Sequence, residues 1–183
     1  EADPELVAAI VRELSINLPN GSTAPVRHCL RAGTRMEGDD RWQRCHRRAT
    51  LFAQYFQAAG AEHGVDPWVL AAMARRESAF APQASGSAGE YGIMQLHPRG
   101  VGQRSNYVSN RRFRERCQRV PGACQEEVVA IGADLLGRSL RSCGTVEQAL
   151  GAYNTGRCGG NSGYTRRVLR VLDRMRAPAP DSE

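Results

Sequence analysis

The chain has no lysine; all 25 of its Lys+Arg positions are arginine. Aromatics are sparse at 6%. No apolar run approaches the ~20 residues that a membrane-crossing helix needs. The glycine-rich loop that cradles phosphates is missing, as are zinc-finger spacing and an aromatic RNA-binding strand. No segment alternates apolar and polar residues as a half-buried strand would, and no internal repeat is visible. A leader peptide is also lacking, since Glu1-Ala2-Asp3-Pro4 is acidic and reads as a helix start. For an exported protein, the numbering would begin at or after the cleavage point.

What is present suits one domain with its own core: 183 residues, 41% of them hydrophobic. The net charge is +6. A basic surface favours anionic partners. The arginines are scattered, with dense spots at 41–48, 111–119 and 166–176. Without a recognition motif they read as a solvated charged surface, and no nucleic-acid partner is expected.

Six cysteines, Cys29, Cys45, Cys117, Cys124, Cys143 and Cys158, allow fifteen pairings. The simplest set is local: Cys29–Cys45, Cys117–Cys124 and Cys143–Cys158. Disulfides persist in oxidising compartments, which points to a periplasm or the cell exterior. The alternatives are a metal site at His28-Cys29 and Cys45-His46, or free buried thiols. Adjacent residues rarely aim at one ion, so the disulfide reading is preferred.

The organisation is helical. Residues 4–15 carry Leu6, Val7, Ile10, Val11 and Leu14 on one face, with Asp3 as N-cap and Pro4 at the first position. Residues 17–40 are an irregular Gly/Pro/Asn/Ser stretch. A helix over 41–60 puts Trp42, Cys45, Ala49, Phe52 and Phe56 on one stripe and ends at Gly60. Asp66 caps the next helix, Pro67 opens it, and it runs from Trp68 to Ala79. Residues 82–92 form a Gly/Ser loop, and 97–124 are polar, basic and without clear periodicity. Helices follow over 125–141, behind Thr145 with Gln148 as a capping box, and over about 162–176. The expected division is an N-terminal helix and irregular extension over 1–40, a main helical domain over 41–176 and a flexible tail over 177–183.

One residue conflicts with its place. The inner stripe of the Trp68–Ala79 helix runs Leu70, Met73, Ala74 and then Glu77. Arg75 and Arg76 point elsewhere on the wheel. A carboxylate on an apolar face is costly unless paired or protonated, and burial raises its pKa. The helix C-terminus also disfavours an anion. Both effects favour a carboxyl that holds a proton near neutral pH, as a general acid must. The plain alternative is a glutamate that reaches solvent or pairs with a neighbouring arginine.

Downstream lie Gly92-Ile93-Met94-Gln95, in a loop lined with small residues, and Ala152-Tyr153-Asn154-Thr155-Gly156 at the end of the capped helix. Tyr153 falls on that helix's inner stripe, and its phenol needs a hydrogen-bond partner, for which Glu77 is the candidate. Together with Glu77-Ser78 at a helix end, in this order and spacing, these segments resemble the soluble lytic transglycosylase family. The resemblance covers about residues 48–172. It implies an all-α, lysozyme-like domain, here with disulfide-stabilised loops, and one catalytic glutamate, Glu77. It further implies that Ser78, Met94 and Gln95 line sugar subsites, that Tyr153 orients the glutamate, and that Asn154 lies beside it. Tyr91 and Gly92 are included as substrate-binding positions of the same loop. The family usually has a serine where Gly86 stands, between Ser85 and Ser87.

The resemblance implies a periplasmic or extracellular enzyme that cleaves the MurNAc-β-1,4-GlcNAc bond of peptidoglycan without water and without metal or cofactor. Its partners would be the glycan strands and an envelope or secretion complex, and a monomer is expected. Two alternatives remain. One is a muramidase of the same bond, for which Glu90 would be the second carboxylate, although His97 stands where goose-type lysozymes carry an aspartate. The other is a wall-binding component without catalysis. Trp42, Trp68, His28, His46 and His63 read as packing or surface residues. The segment 104–119, with Tyr107 and Phe113, could flank the glycan groove or be a variable insertion.

Overall fold

The computed structural model describes residues 1–14 and 40–178. Helix α1 spans Pro4–Leu14 and α2 Asp40–His63. Helix α3 spans Pro67–Ser78. Two short helices, α4 (Asn106–Ser109) and α5 (Arg111–Arg116), follow a long loop. Helices α6 (Glu126–Cys143), α7 (Val146–Thr155) and α8 (Ser162–Arg176) complete the chain. Three single 3-10 turns lie at 101–104, 117–119 and 121–124. Among the described residues there is no strand, only isolated bridges from Tyr91 to Ser85 and to Leu96.

Helix α2 packs against α1, α3 and α6, while α8 closes over α3 and α7 lies along α6. Cys45, Ala49, Phe52 and Phe56 form the buried stripe of α2. The helix does not stop at Gly60 but runs one turn further. A side chain at Gly60 would meet the Val65 carbonyl at 2.5 Å, so glycine there admits the returning chain rather than ending the helix. The Asp66 side chain accepts the Trp68 N–H at 2.8 Å, and Thr145 accepts that of Gln148 at 3.3 Å. These caps satisfy donors that the helix cannot pair internally.

Helix α1 packs into the common core, with Leu6 and Ile10 fully buried. It also brings Glu13, 2% exposed, to Arg75 of α3 at 2.9 Å and to Arg174 of α8 at 2.7 Å. Arg75 is therefore buried rather than solvated, because the face it occupies on α3 is covered by an acid from α1. Cys117–Cys124 and Cys143–Cys158 are bonded. Cys45 is buried. Cys29 and His28 lie outside the described residues, as does the Cys29–Cys45 pairing with its metal alternative. The segment 97–124 resolves into elements mostly under two turns long, too short to show a periodicity.

Candidate active site

The site is built on the end of α3. Ala79 and Phe80 both take left-handed backbone, with φ of 52° and 59°. Non-glycine residues seldom do so, and the geometry turns the chain sharply after Ser78. Burial of Phe80 against Phe52 and Phe56, with ring centroids 6.3 and 6.4 Å away, holds the turn in place. The last turn of α3 thus faces the following loop.

Glu77 is half-buried there. Desolvation raises its pKa above the ordinary carboxylate value. The Tyr164 hydroxyl and the Arg76 guanidinium pull it down, and the Glu90 carboxylate pushes it up. The net shift is upward, so the carboxyl keeps its proton to higher pH than an exposed glutamate does.

Ser78 donates its hydroxyl within the fold, with the Ile93 carbonyl at 2.9 Å and the Ala74 carbonyl at 3.0 Å. It ties helix to loop. The loop is pinned elsewhere too. The Gln95 side-chain amide donates to the Ala84 and Gly92 carbonyls at 3.0 and 2.9 Å. The Ile93 N–H donates to the buried Gln125 Oε1 at 2.9 Å. Met94 is fully buried and packs against Gly132 of α6, so it shapes the loop from beneath. Gly92 has φ of 80°, and a side chain there would lie 2.9 Å from Gln125 Oε1. Only glycine meets both conditions.

Gly86 has a different explanation. A Cβ there would fall 2.1 Å from Glu90 Oε2 and 3.2 Å from Gln95 Oε1. The Glu90 carboxylate occupies the space a serine side chain would need. It accepts the Ala88 N–H at 3.0 Å and stays close enough to Glu77 to raise its pKa. The Tyr91 ring lies under the Arg114 guanidinium, with 3.7 Å from Cζ to the ring centroid.

Tyr153 of α7 donates its hydroxyl to the Met94 carbonyl at 3.1 Å, not to Glu77. Its ring lies near enough to Glu77 for the two charges to oppose each other, and burial keeps the phenol neutral. The tyrosine beside the carboxyl is Tyr164, at the start of α8. Its hydroxyl is buried and close enough to lower the Glu77 pKa, yet it completes no hydrogen bond of ordinary geometry. Burial and the Glu77 charge raise its own pKa, so it remains a neutral donor. The exposed Asn154 reaches this pair indirectly. Its Oδ1 accepts from Asn161 Nδ2 at 2.6 Å, and Asn161, the N-cap of α8, accepts the Tyr164 N–H at 3.1 Å.

Glu77, Glu90, Tyr153 and Tyr164 thus converge, Gln95 and Glu90 flank Gly86, and Ser78, Gly92 and Met94 serve as the frame. Sequence reasoning missed Tyr164. The signal was available, because Tyr164 heads the buried stripe of Val168, Val171, Leu172 and Met175, a polar tip on an apolar face. Among the described residues no group of three or more His, Cys, Asp or Glu side chains could hold a metal ion. No described helix is long and apolar enough to cross a membrane.

The family model described as the transglycosylase SLT domain matches residues 54–162, more than half of the chain. The match contains α3, the pinned loop, α7 and the Asn161 cap. It places the fold among the lysozyme-like all-α domains and the chain among proteins that act on peptidoglycan. The chain belongs to the transglycosylase SLT domain family.

Proposed function

We propose that this protein is a peptidoglycan lytic transglycosylase that works with one carboxyl group, Glu77. Protonated Glu77 gives its proton to the glycosidic oxygen between MurNAc and GlcNAc as the bond to C1 breaks. The resulting carboxylate then takes the proton of the muramic C6 hydroxyl. The C6 oxygen attacks C1 and closes a 1,6-anhydro ring, so the proton balance returns to its start and no water enters. The substrate's own N-acetyl oxygen can stabilise the positive charge at C1, a known departure from two-carboxylate glycoside cleavage.

The observation that carries this reading is the state of Glu77: half-buried, raised in pKa, and beside a tyrosine hydroxyl with no complete hydrogen bond. Such an acid keeps its proton to higher pH than an ordinary carboxylate. When it ionises, Tyr164 can donate to the new charge, an interaction stronger in the transition state than before it. Tyr153 supports the wall through Met94, and Asn154 positions Tyr164 through Asn161. Gln95 Oε1 and the Glu90 carboxylate, both turned towards Gly86, offer acceptors to sugar hydroxyl or amide groups.

The muramidase alternative would need Glu90 to activate a water. That scheme would leave water oxygen at C1, so a digest in labelled water separates the two. The proposed setting is the periplasm or cell exterior, with the protein acting as a monomer on glycan strands, alone or within an envelope complex. The test is clearing of purified sacculi by the wild type and by Glu77→Gln. Catalysis requires clearing that the variant abolishes. A non-catalytic wall binder would clear nothing and would bind equally well in both forms.

A further inference from the structure

Beside the loop that carries Glu90 and Gly92 lies a groove of 390 Å³, lined by Gln83, Tyr91, Tyr107, Arg111, Arg114 and Glu115, with Cys117 and Gln118 at one end. Its walls are held in place. The Tyr107 hydroxyl donates to the Pro82 carbonyl at 2.6 Å, tying α4 to the loop. The Cys117–Cys124 disulfide closes the far side. Arg114 Nη1 donates to the Tyr107 and Val108 carbonyls at 2.8 and 2.9 Å, which holds the guanidinium over Tyr91.

Arg114 is half-buried and has no carboxylate partner among the described residues. Cations out of water are normally paired. The second arginine of the groove, Arg111, is 85% exposed and bonded to Glu115 at 2.7 Å, an acid on the same rim. The groove therefore combines a stacked, unpaired guanidinium with one masked by a displaceable internal carboxylate. Two side-chain amides, Gln83 and Gln118, stand at its edge.

Such a surface suits a planar anion with amide groups around it, because guanidinium pairs carboxylate through parallel N–H donors. Peptidoglycan strands carry peptides on their muramic acids, and those stems bear carboxylates and amides. Tyr91 directly precedes Gly92, so the groove and the glycan site share one loop. We propose that the Tyr91–Arg114–Arg111 groove binds a carboxylate of the peptide stem, which makes the protein selective for stem-bearing over bare glycan strands. This rests on the peptidoglycan reading of the Glu77 site and adds the part of the substrate that reading leaves unassigned.

The test compares stem-bearing strands with strands stripped by an amidase, using kcat/KM for cleavage and co-sedimentation for binding. Arg111→Ala is an exposed change that leaves the fold intact, and Arg114→Ala removes the stacked cation. Arg111→Ala should lower kcat/KM on stem-bearing strands about tenfold, the worth of one charge-assisted hydrogen bond, and leave stripped strands unchanged. Arg114→Ala, which also frees the Tyr107 and Val108 carbonyls, should weaken cleavage of stem-bearing strands more than of stripped ones. Glu115→Gln unmasks Arg111 and should raise kcat/KM on stem-bearing strands, a gain that damage to the fold cannot produce. Equal loss on both substrates, or no effect of Glu115→Gln, overturns the proposal. Binding is read separately on Glu77→Gln, so a chain that cleaves neither substrate but prefers stem-bearing strands would fail as an enzyme and keep the groove. Equal binding to both would refute the groove whatever the activity.

Discussion

Replacing Tyr164 with phenylalanine should make the protein more stable and less active. The Tyr164 hydroxyl is buried without a completed hydrogen bond. A buried polar group left unsatisfied costs about 1–3 kcal/mol. Phenylalanine keeps the ring that packs with Val168 and removes that group. Its proximity to Glu77 recovers part of the cost, so the gain should be about 1 kcal/mol. For a chain of this size that is a rise in Tm of roughly 2–4 °C. The hydroxyl also lowers the Glu77 pKa. Its loss raises that pKa, and the basic limb of the rate profile should move to higher pH. At the optimum, losing a donor to an ionised carboxylate should reduce kcat about ten- to a hundredfold. Thermal melts and a pH–rate series on Tyr164→Phe are the assays. A Tm lowered by several degrees with kcat unchanged would show that the hydroxyl is bonded elsewhere and serves only packing.

Three more perturbations probe the frame. Glu13→Ala leaves Arg75 buried without its partner and also frees Arg174, which should cost about 3–5 kcal/mol in denaturant unfolding; an unchanged midpoint would remove α1 from the account. Glu90→Gln takes away a charge that raises the Glu77 pKa. The general acid must be protonated to act, so the basic limb of the pH–rate profile should move to lower pH, and a move to higher pH would contradict the assigned electrostatics. Cys143→Ser with Cys158→Ser opens a loop with a sequence separation of 15, worth about 3 kcal/mol. Melts of the double variant should show that loss, and reduction of the wild type, which also opens Cys117–Cys124, should cost more.

Much of the architecture was legible where a signal lies within one element. Asp66, Pro67 and Thr145 mark helix starts by local chemistry, and the stripe Leu70, Met73, Ala74, Glu77 places a carboxyl on a buried face. The Cys117–Cys124 and Cys143–Cys158 bonds join near neighbours. What was not legible depends on packing between elements. The wheel of α3 says where Arg75 points but not that Glu13 arrives from another helix. Tyr153 and Tyr164 are both tyrosines on inner stripes, and only the crossing of α8 over α3 decides which one meets Glu77. Gly60 looked like a terminator because a glycine that ends a helix and one that admits a passing carbonyl read alike. The Gly86 and Glu90 exchange of space is a contact across a tight loop that spacing alone does not reveal.

The central claim is that Glu77 cleaves the glycosidic bond without water. The most direct measurement is a digest of purified sacculi in water enriched in heavy oxygen, with the soluble fragments weighed by mass spectrometry and Glu77→Gln run alongside. The account predicts muramic ends lighter than reducing ends by one water, no incorporated label, and no fragments from the variant. Labelled reducing ends would contradict it and assign the chain to hydrolysis. Unlabelled anhydro ends from Glu77→Gln would show that another group is the acid.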